Sequence, residues 1–301
     1  MASNYAGPPR ILVGYDGSDD AYAALDYGVN EALSTNAEIA LIYAVDDTVL
    51  NSVWGVVFDP EEIKQDASDM IAEAVGEIEE RGIPAERVRT EIVLGNPASA
   101  LVKYSEFASR VILGRCSLSK GESQFVGSTA VGVAGAAHCP VIVVSASNPP
   151  PEQAFERMGV GVNIEAKGRR GLPWAMDEAR RLGTHLQVIS VVKSAARSRW
   201  RSAPELTQEQ QDEAVDVTRI RVESIMRSMN EKYPGVDSSM DICYGNPVDT
   251  LVRRSQELDL LVLEVQSSFP NNSVGGVARG LMAHGHCPIA LVRSKDSAAR
   301  G

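Results

Sequence analysis

Short apolar runs alternate with amphipathic stretches along the whole chain. Residues 10–15 (RILVGY) are a compact apolar run closed by the turn residues Asp16-Gly17-Ser18, which reads as a buried strand. Residues 19–34 then place Ala23, Ala24, Tyr27 and Ala32 at helical spacing behind Asp19 and Asp20, acids that suit the positive end of a helix. Residues 38–45 (EIALIYAV) predict a second strand, 60–81 a long amphipathic helix that stops at Gly82, and 88–93 a third strand. Pro97 falls in the first turn of a helix reaching residue 108, 111–114 (VILG) is a fourth buried strand, and 128–137 is a small-residue helix. Pro140 introduces a last strand, VIVVS. Strands that are continuously apolar, with helices between them, predict a parallel sheet covered on both faces. Right-handed crossovers make that sheet doubly wound.

The pattern is written twice. GNPASALVKYSEFASRVILG from Gly95 returns as GNPVDTLVRRSQELDLLVLE from Gly245, with Gly-Asn-Pro, Leu-Val and the serines Ser105 and Ser255 in common. His138-Cys139-Pro140-Val141 echoes His286-Cys287-Pro288-Ile289, and ILVGYD (11–16) echoes GVGVNI (159–164). Strands are expected again near 158–163, 185–192, 238–243, 260–264 and 288–293. The expected fold is therefore α/β, two tandem doubly wound domains of residues 1–147 and 153–296, each a five-stranded parallel sheet flanked by helices. The proline-rich stretch 145–153 (SASNPPPEQ) is a semi-rigid linker.

Composition changes this picture in three ways. Only 5% of residues are aromatic, so both cores must be built from Ala, Val, Ile and Leu. Four cysteines and a first segment without a basic or apolar leader pattern point to a reducing, cytoplasmic setting. No apolar run approaches the roughly 20 residues of a membrane span, so no membrane role is expected. The net charge of −11 is uneven: residues 1–150 carry 9 Lys and Arg against 21 Asp and Glu, and residues 151–301 carry 20 against 19. Such a chain is a poor nucleic-acid binder, because that affinity comes from neutralising phosphates.

In an open parallel sheet, ligands bind beyond the carboxyl ends of the strands where the winding reverses. Those ends are Asp16, Val45-Asp46 and Gly114, followed by a loop to Val126 and a helix opening with Gly127-Ser128-Thr129. Unpaired amides at a helix start cradle phosphate; equally, Ser128 or Thr129 can simply cap the helix. Asp46 and Asp47 are weak magnesium candidates. Cys116 in the same loop reads as a passive thiol, and Cys139 and Cys243 as buried core. His284-Gly-His286-Cys287 reads as entry to a strand rather than a metal site. The basic cluster 193–201 (KSAARSRWR) reads as a solvated or docking loop. No hydrolase, Walker or dinucleotide signature is present, and no catalytic or metal-ligating residue is assigned.

On these residues the chain resembles a tandem universal stress protein over nearly all of both halves. That family's nucleotide motif is a Gly, two residues, a Gly, nine residues, then Gly-Ser or Gly-Thr. Gly114, the nine residues 118–126 and Gly127-Ser128 keep the spacing, with Ser117 at the second glycine. Asp16 in VGYDGS and Cys139-Pro140-Val141 match two further family features. The resemblance implies an adenine nucleotide alpha hydrolase-like fold that binds ATP or a related adenine nucleotide, with magnesium. Asp16 and the backbone at Val45 would hold adenine and ribose, and Gly114, Gly127, Ser128 and Thr129 the phosphates. Ser117 would line the loop less pliantly than glycine, while Arg115 and Lys120 could add positive charge. A homodimer or other homo-oligomer and an unidentified protein partner are also implied.

The second half departs from the motif. Asn163 stands at the acid, Glu264 at the first glycine, the following loop is two residues shorter, and Gly276 replaces the hydroxyl. A carboxylate facing a phosphate pocket repels its ligand, so the second domain is expected to be structural. The expected role is a nucleotide-dependent switch in stress response. Two alternatives stay open: a nucleotide-free scaffold, and a slow ATPase or phosphotransferase with Ser123, Ser128 or Thr129 as phosphoacceptor.

Overall fold

A computed structural model describes residues 9–45, 60–116, 126–148, 155–165, 170–193, 206–266 and 274–294. Two compact units divide the chain at residues 149–150. In the first, β1 (Arg10–Gly14), α1 (Asp19–Thr35), β2 (Glu38–Val45), α2 (Pro60–Glu80), β3 (Val88–Leu94), α3 (Pro97–Tyr104), β4 (Arg110–Gly114), α4 (Ser128–Ala136) and β5 (Val141–Val144) follow in order. The second repeats the plan with β6 (Arg157–Gly161), α5 (Gly171–Leu182), β7 (His185–Lys193), α6 (Gln208–Lys232), β8 (Ser238–Gly245), α7 (Pro247–Arg254), β9 (Leu260–Val265), α8 (Gly276–His284) and β10 (Ile289–Arg293).

The strand order is β3-β2-β1-β4-β5 in the first unit and β10-β9-β6-β7-β8 in the second. Among the described residues, the strands within each unit pair in parallel. The chain leaves β1 in one direction and returns at β4 on its other side, so the winding reverses between β1 and β4, and between β6 and β9. Each unit is thus a doubly wound α/β sheet of five strands.

Side-chain size explains why the layers close. The largest fully buried side chains are Ile, Leu and Met, with no aromatic among them. α2 buries Ala67, Ile71, Ala74 and Ile78, one stripe at helical spacing, and a fully buried Ile such as Ile78 is worth about 2 kcal/mol. α1 presents Ala21, Ala24, Gly28 and Ala32 to the sheet, and a Cβ on Gly28 would lie 2.8 Å from Val13. That row of small residues lets the helix sit directly on β1 and β4.

The sequence echoes prove to be architectural. In Gly95-Asn96-Pro97, the glycine takes φ +129°, Asn96 caps α3 through the N–H of Ser99 (2.9 Å), and Pro97 starts the helix. Asn246 and Pro247 repeat this at α7, with the cap bond from Val248 at 2.9 Å. Ser105 donates to the carbonyl of Val102 and accepts the N–H of His138; Ser255 does the same with Val252 and His286, at 2.6 and 2.9 Å in both units. The third echo is corrected by one residue. Gly14 pairs with Leu113 as Gly161 pairs with Leu263, so Asp16 corresponds to Asn163 and ILVGYD aligns with MGVGVN. The Val-Gly pair that ends both strands, RILVG and RMGVG, is what the pairing superposes. Cys139 and Cys243 are half-buried rather than core; among the four cysteines only Cys287 is fully buried.

Candidate functional site

The carboxyl edge of β1 and β4 gathers most of the residues singled out above. Asp16 follows β1 and folds back on Ser18, accepting its N–H at 3.1 Å and its hydroxyl at 2.6 Å. Ser18 in turn caps α1 by accepting the N–H of Ala21 at 3.2 Å. Its hydroxyl also lies 3.4 Å from the carbonyl oxygen of Cys116, just beyond β4. Asp16 is therefore held at the point where the winding reverses, and it remains only half-buried.

Gly114 ends β4 against the first turn of α1. A Cβ there would lie 2.8 Å from the carbonyl carbon of Asp20 and 2.9 Å from the nitrogen of Ala21. Glycine at this place thus serves helix packing. Ser117, Lys120, Ser123, Asp46 and Asp47 lie outside the described residues.

The helix start at 127–129 is not closed by its own hydroxyls. Gly127 is the N-cap of α4, and no side chain makes a capping bond. Neither Ser128 nor Thr129 closes the helix, in contrast to α1 and α3, which Ser18 and Asn96 cap. Ser128 is exposed and Thr129 half-exposed. The N–H of Gly127 itself is used, donating to the carbonyl of Arg115 at 2.9 Å. The first-turn amides after it, at a positive helix end, are what an anion would meet.

Two expected contributors are turned elsewhere. The Val45 carbonyl accepts the N–H of Gly95 at 2.9 Å, which ties β2 to the start of α3. The Arg115 side chain is buried, its Nε 3.9 Å from the Asp20 carboxylate and one terminal nitrogen 3.4 Å from the Ser147 hydroxyl. In sequence Asp20 reads only as a helix-start acid. It accepts the N–H of Cys116 (3.0 Å), the N–H of Ala146 (2.7 Å) and the hydroxyl of Ser145 (3.1 Å), so one carboxylate fastens the ends of β4 and β5 to α1. Its neighbour Asp19 looks the same in sequence, and only the fold distinguishes them.

The model of the universal stress protein family matches residues 8–145 and again 154–293. The chain belongs to the universal stress protein family. Similar relatives are universal stress protein Rv2623 of Mycobacterium tuberculosis, 24% identical over 294 residues (94% of this chain, 96% of that protein). Universal stress protein Mb2028c of Mycobacterium bovis is 25% identical over 303 residues (94% and 96%). Among solved structures, a universal stress protein from Archaeoglobus fulgidus shares the fold, with TM-score 0.70 at 17% identity over 97% of this chain and 99% of that one.

The second universal stress domain solves the same junction differently. The Thr184 N–H bonds to Ala179 O as Ala37 N–H does to Ala32 O, so α5 ends where α1 ends. It begins more than a turn later, at Gly171 rather than at the counterpart of Asp19. Glu264, at the position of Gly114, uses the room. Its carboxylate accepts the N–H groups of Arg170 (2.8 Å) and Gly171 (3.1 Å) and so caps α5. The expectation that Glu264 faces a phosphate pocket is thereby corrected, because α5's unpaired amides attract the carboxylate more strongly than an open cleft. Asn163 accepts the N–H of Glu165 at 3.0 Å, the neutral version of the Asp16 turn. α8 also starts without a side-chain cap, at Gly275.

Among the described residues, no group of three or more His, Cys, Asp or Glu is placed to hold a metal ion, and no helix is long and apolar enough to cross a membrane. Burial pushes the Cys139 and Cys287 thiols up to about 12.

Proposed function

We propose that the first universal stress domain binds ATP or a related adenine nucleotide at the carboxyl edge of β1 and β4, and that binding switches the protein between assembly states. The uncapped first turn of α4 carries this reading. It is the one helix start in that domain whose described cap position offers no side-chain acceptor, and it adjoins β4 where the winding reverses. Gly127, Ser128 and Thr129 would meet the phosphates, beside Gly114, which sets the strand end against α1. Asp16 and the chain at Val45 would face the adenosine. Arg115 acts through Asp20, holding the strand ends rather than the phosphates. Magnesium would enter as the nucleotide's own counter-cation.

The second domain is assigned a structural role. Its counterpart of Asp16 is the neutral Asn163, and its connection after β9 is shorter. A switch requires that nucleotide favour one state over another, and a homo-oligomer interface is where we place that difference. Four free cysteines suit a reducing cytoplasm.

The test is calorimetric titration of the full chain with ATP, with and without magnesium. One nucleotide per chain is expected, with no accompanying phosphate release. No binding at millimolar ATP would leave a nucleotide-free scaffold. Two nucleotides per chain would reject the structural role of the second domain.

A further inference from the structure

The strongest unassigned chemistry lies in the second domain, on the strand edge away from the winding reversal. His185, the first residue of β7, sits between two residues of the β8 segment. Its Nδ1 is 2.8 Å from a carboxylate oxygen of Asp237, and its Nε2 is 2.8 Å from the hydroxyl of Ser239. The parallel register explains the arrangement: Leu186 pairs with Ser238, so Asp237 and Ser239 project on one face and flank the imidazole. A carboxylate can only accept, so in the neutral ring Nδ1 carries the proton and Nε2 is left to accept from the serine.

We propose that Ser239 is an activated nucleophile that takes an acyl group from activated esters. A hydroxyl on the base and a carboxylate orienting that base is the arrangement that activates serine. Ser239 is exposed, so a donor can reach it. The Leu186 N–H bonds to Asp237 O at 2.9 Å, so the groups of Ser239 turn toward β7 and those of Met240 turn outward. β8 ends the strand order, so among the described residues no strand pairs with the Met240 N–H, next in the chain to the nucleophile. It is the donor for the oxygen that becomes negative during attack. In the step itself, Ser239 Oγ bonds to the acyl carbon and its proton passes to His185 Nε2 and on to water. The bond from the acyl carbon to the leaving oxygen breaks, and the leaving group departs as its anion.

The probe is p-nitrophenyl acetate with the full chain, read by peptide mapping over time. Ser239 is expected to acquire acetyl at least about tenfold faster than Ser109, an exposed serine whose hydroxyl donates to the Arg10 carbonyl. Asp237→Asn should slow Ser239 acetylation about tenfold or more, because the amide no longer fixes the tautomer. Asp237 is 82% exposed, so the circular dichroism of that variant should be unchanged. Acetylation of Ser239 no faster than of Ser109, an equal rate in Asp237→Asn, or acetyl found on His185 alone would each overturn the proposal. None of these outcomes depends on nucleotide binding by the first domain.

Discussion

The Glu264 carboxylate accepts the N–H of Gly171 at 3.1 Å, and a Cβ on Gly171 would stand 3.2 Å from the Glu264 Cβ. Strand end and helix start are thus fitted to each other. In the first domain the glycine is on the strand (Gly114) and the acid on the helix (Asp20); in the second the glycine is on the helix and the acid on the strand. Removing the cap with Glu264→Ala should cost about 1–2 kcal/mol, the usual range for an N-cap with a charged acceptor. Urea unfolding followed by a probe in the second domain would show it, with the first domain's transition unmoved.

The mirror experiment is Gly114→Ala. The added methyl would meet backbone atoms of Asp20 and Ala21 at 2.8–2.9 Å, and backbone cannot rotate away. Overpacking of this kind costs about 1–3 kcal/mol. It should also disturb the Asp20 bonds to Cys116 and Ala146, so the amides of residues 116 and 146 should exchange hydrogen faster. Unchanged exchange would mean that α1 shifts as a rigid body.

Ser128→Pro removes a first-turn amide together with the Ser128 hydroxyl, and Ser128→Ala, which removes the hydroxyl alone, is its reference. Proline is tolerated at the first helical position, and Gly127 already has the extended ψ of 144° that a following proline prefers. The proline variant should fold normally while lacking one more donor toward phosphate than Ser128→Ala. Loss of one hydrogen bond to a charged group corresponds to about 10–100-fold weaker ATP binding. Gly276→Pro, the same change at α8, should leave ATP affinity as it is. Equal effects of the two would place nucleotide in both domains.

What the sequence revealed and what it hid follow from how local each signal is. Strand runs, the Gly-Asn-Pro helix starts and the stop at Gly82 depend on neighbouring residues, and all appear within a residue or two of their expected places. Asp20 and Glu264 depend on chain segments about 95 residues away, and nothing local distinguishes Asp20 from Asp19. In sequence Arg115 is a loop cation; its burial against Asp20 and Ser147 is set by α1 and the end of β5. The relay at His185 was invisible for the same reason, since it needs the register of two strands.

The repeated serines give a matched pair of tests. Ser105 is almost wholly buried, at 1% exposure, and its hydroxyl receives the His138 N–H while bonding to Val102. Ser105→Ala leaves that N–H without its acceptor and should cost the first domain about 1–3 kcal/mol. Ser255→Ala should cost the second domain the same, because the bonds are equal in length. A double variant should show the sum, since the two sites share no partner. Denaturant midpoints measured for each domain would check this.

Cys139 and Cys287 make stability fall at high pH, and the sign can be worked through. Burial holds both thiols protonated up to about 12 in the folded protein, against the ordinary value of 9.0. Between those values the unfolded chain has lost protons that the folded chain still keeps. The contribution is therefore fully present below pH 9 and is lost as pH climbs toward 12, at a slope of about 1 kcal/mol per pH unit for each thiol. Replacing both by alanine should lower stability at neutral pH through lost packing, yet flatten its decline above pH 9. Denaturant midpoints at a series of pH values would check the slope, and an unchanged slope in the double variant would show that other groups cause the alkaline loss. In the native protein a thiol reagent should modify the buried Cys287 only at the rate of unfolding, because the thiolate that reacts is the form burial suppresses.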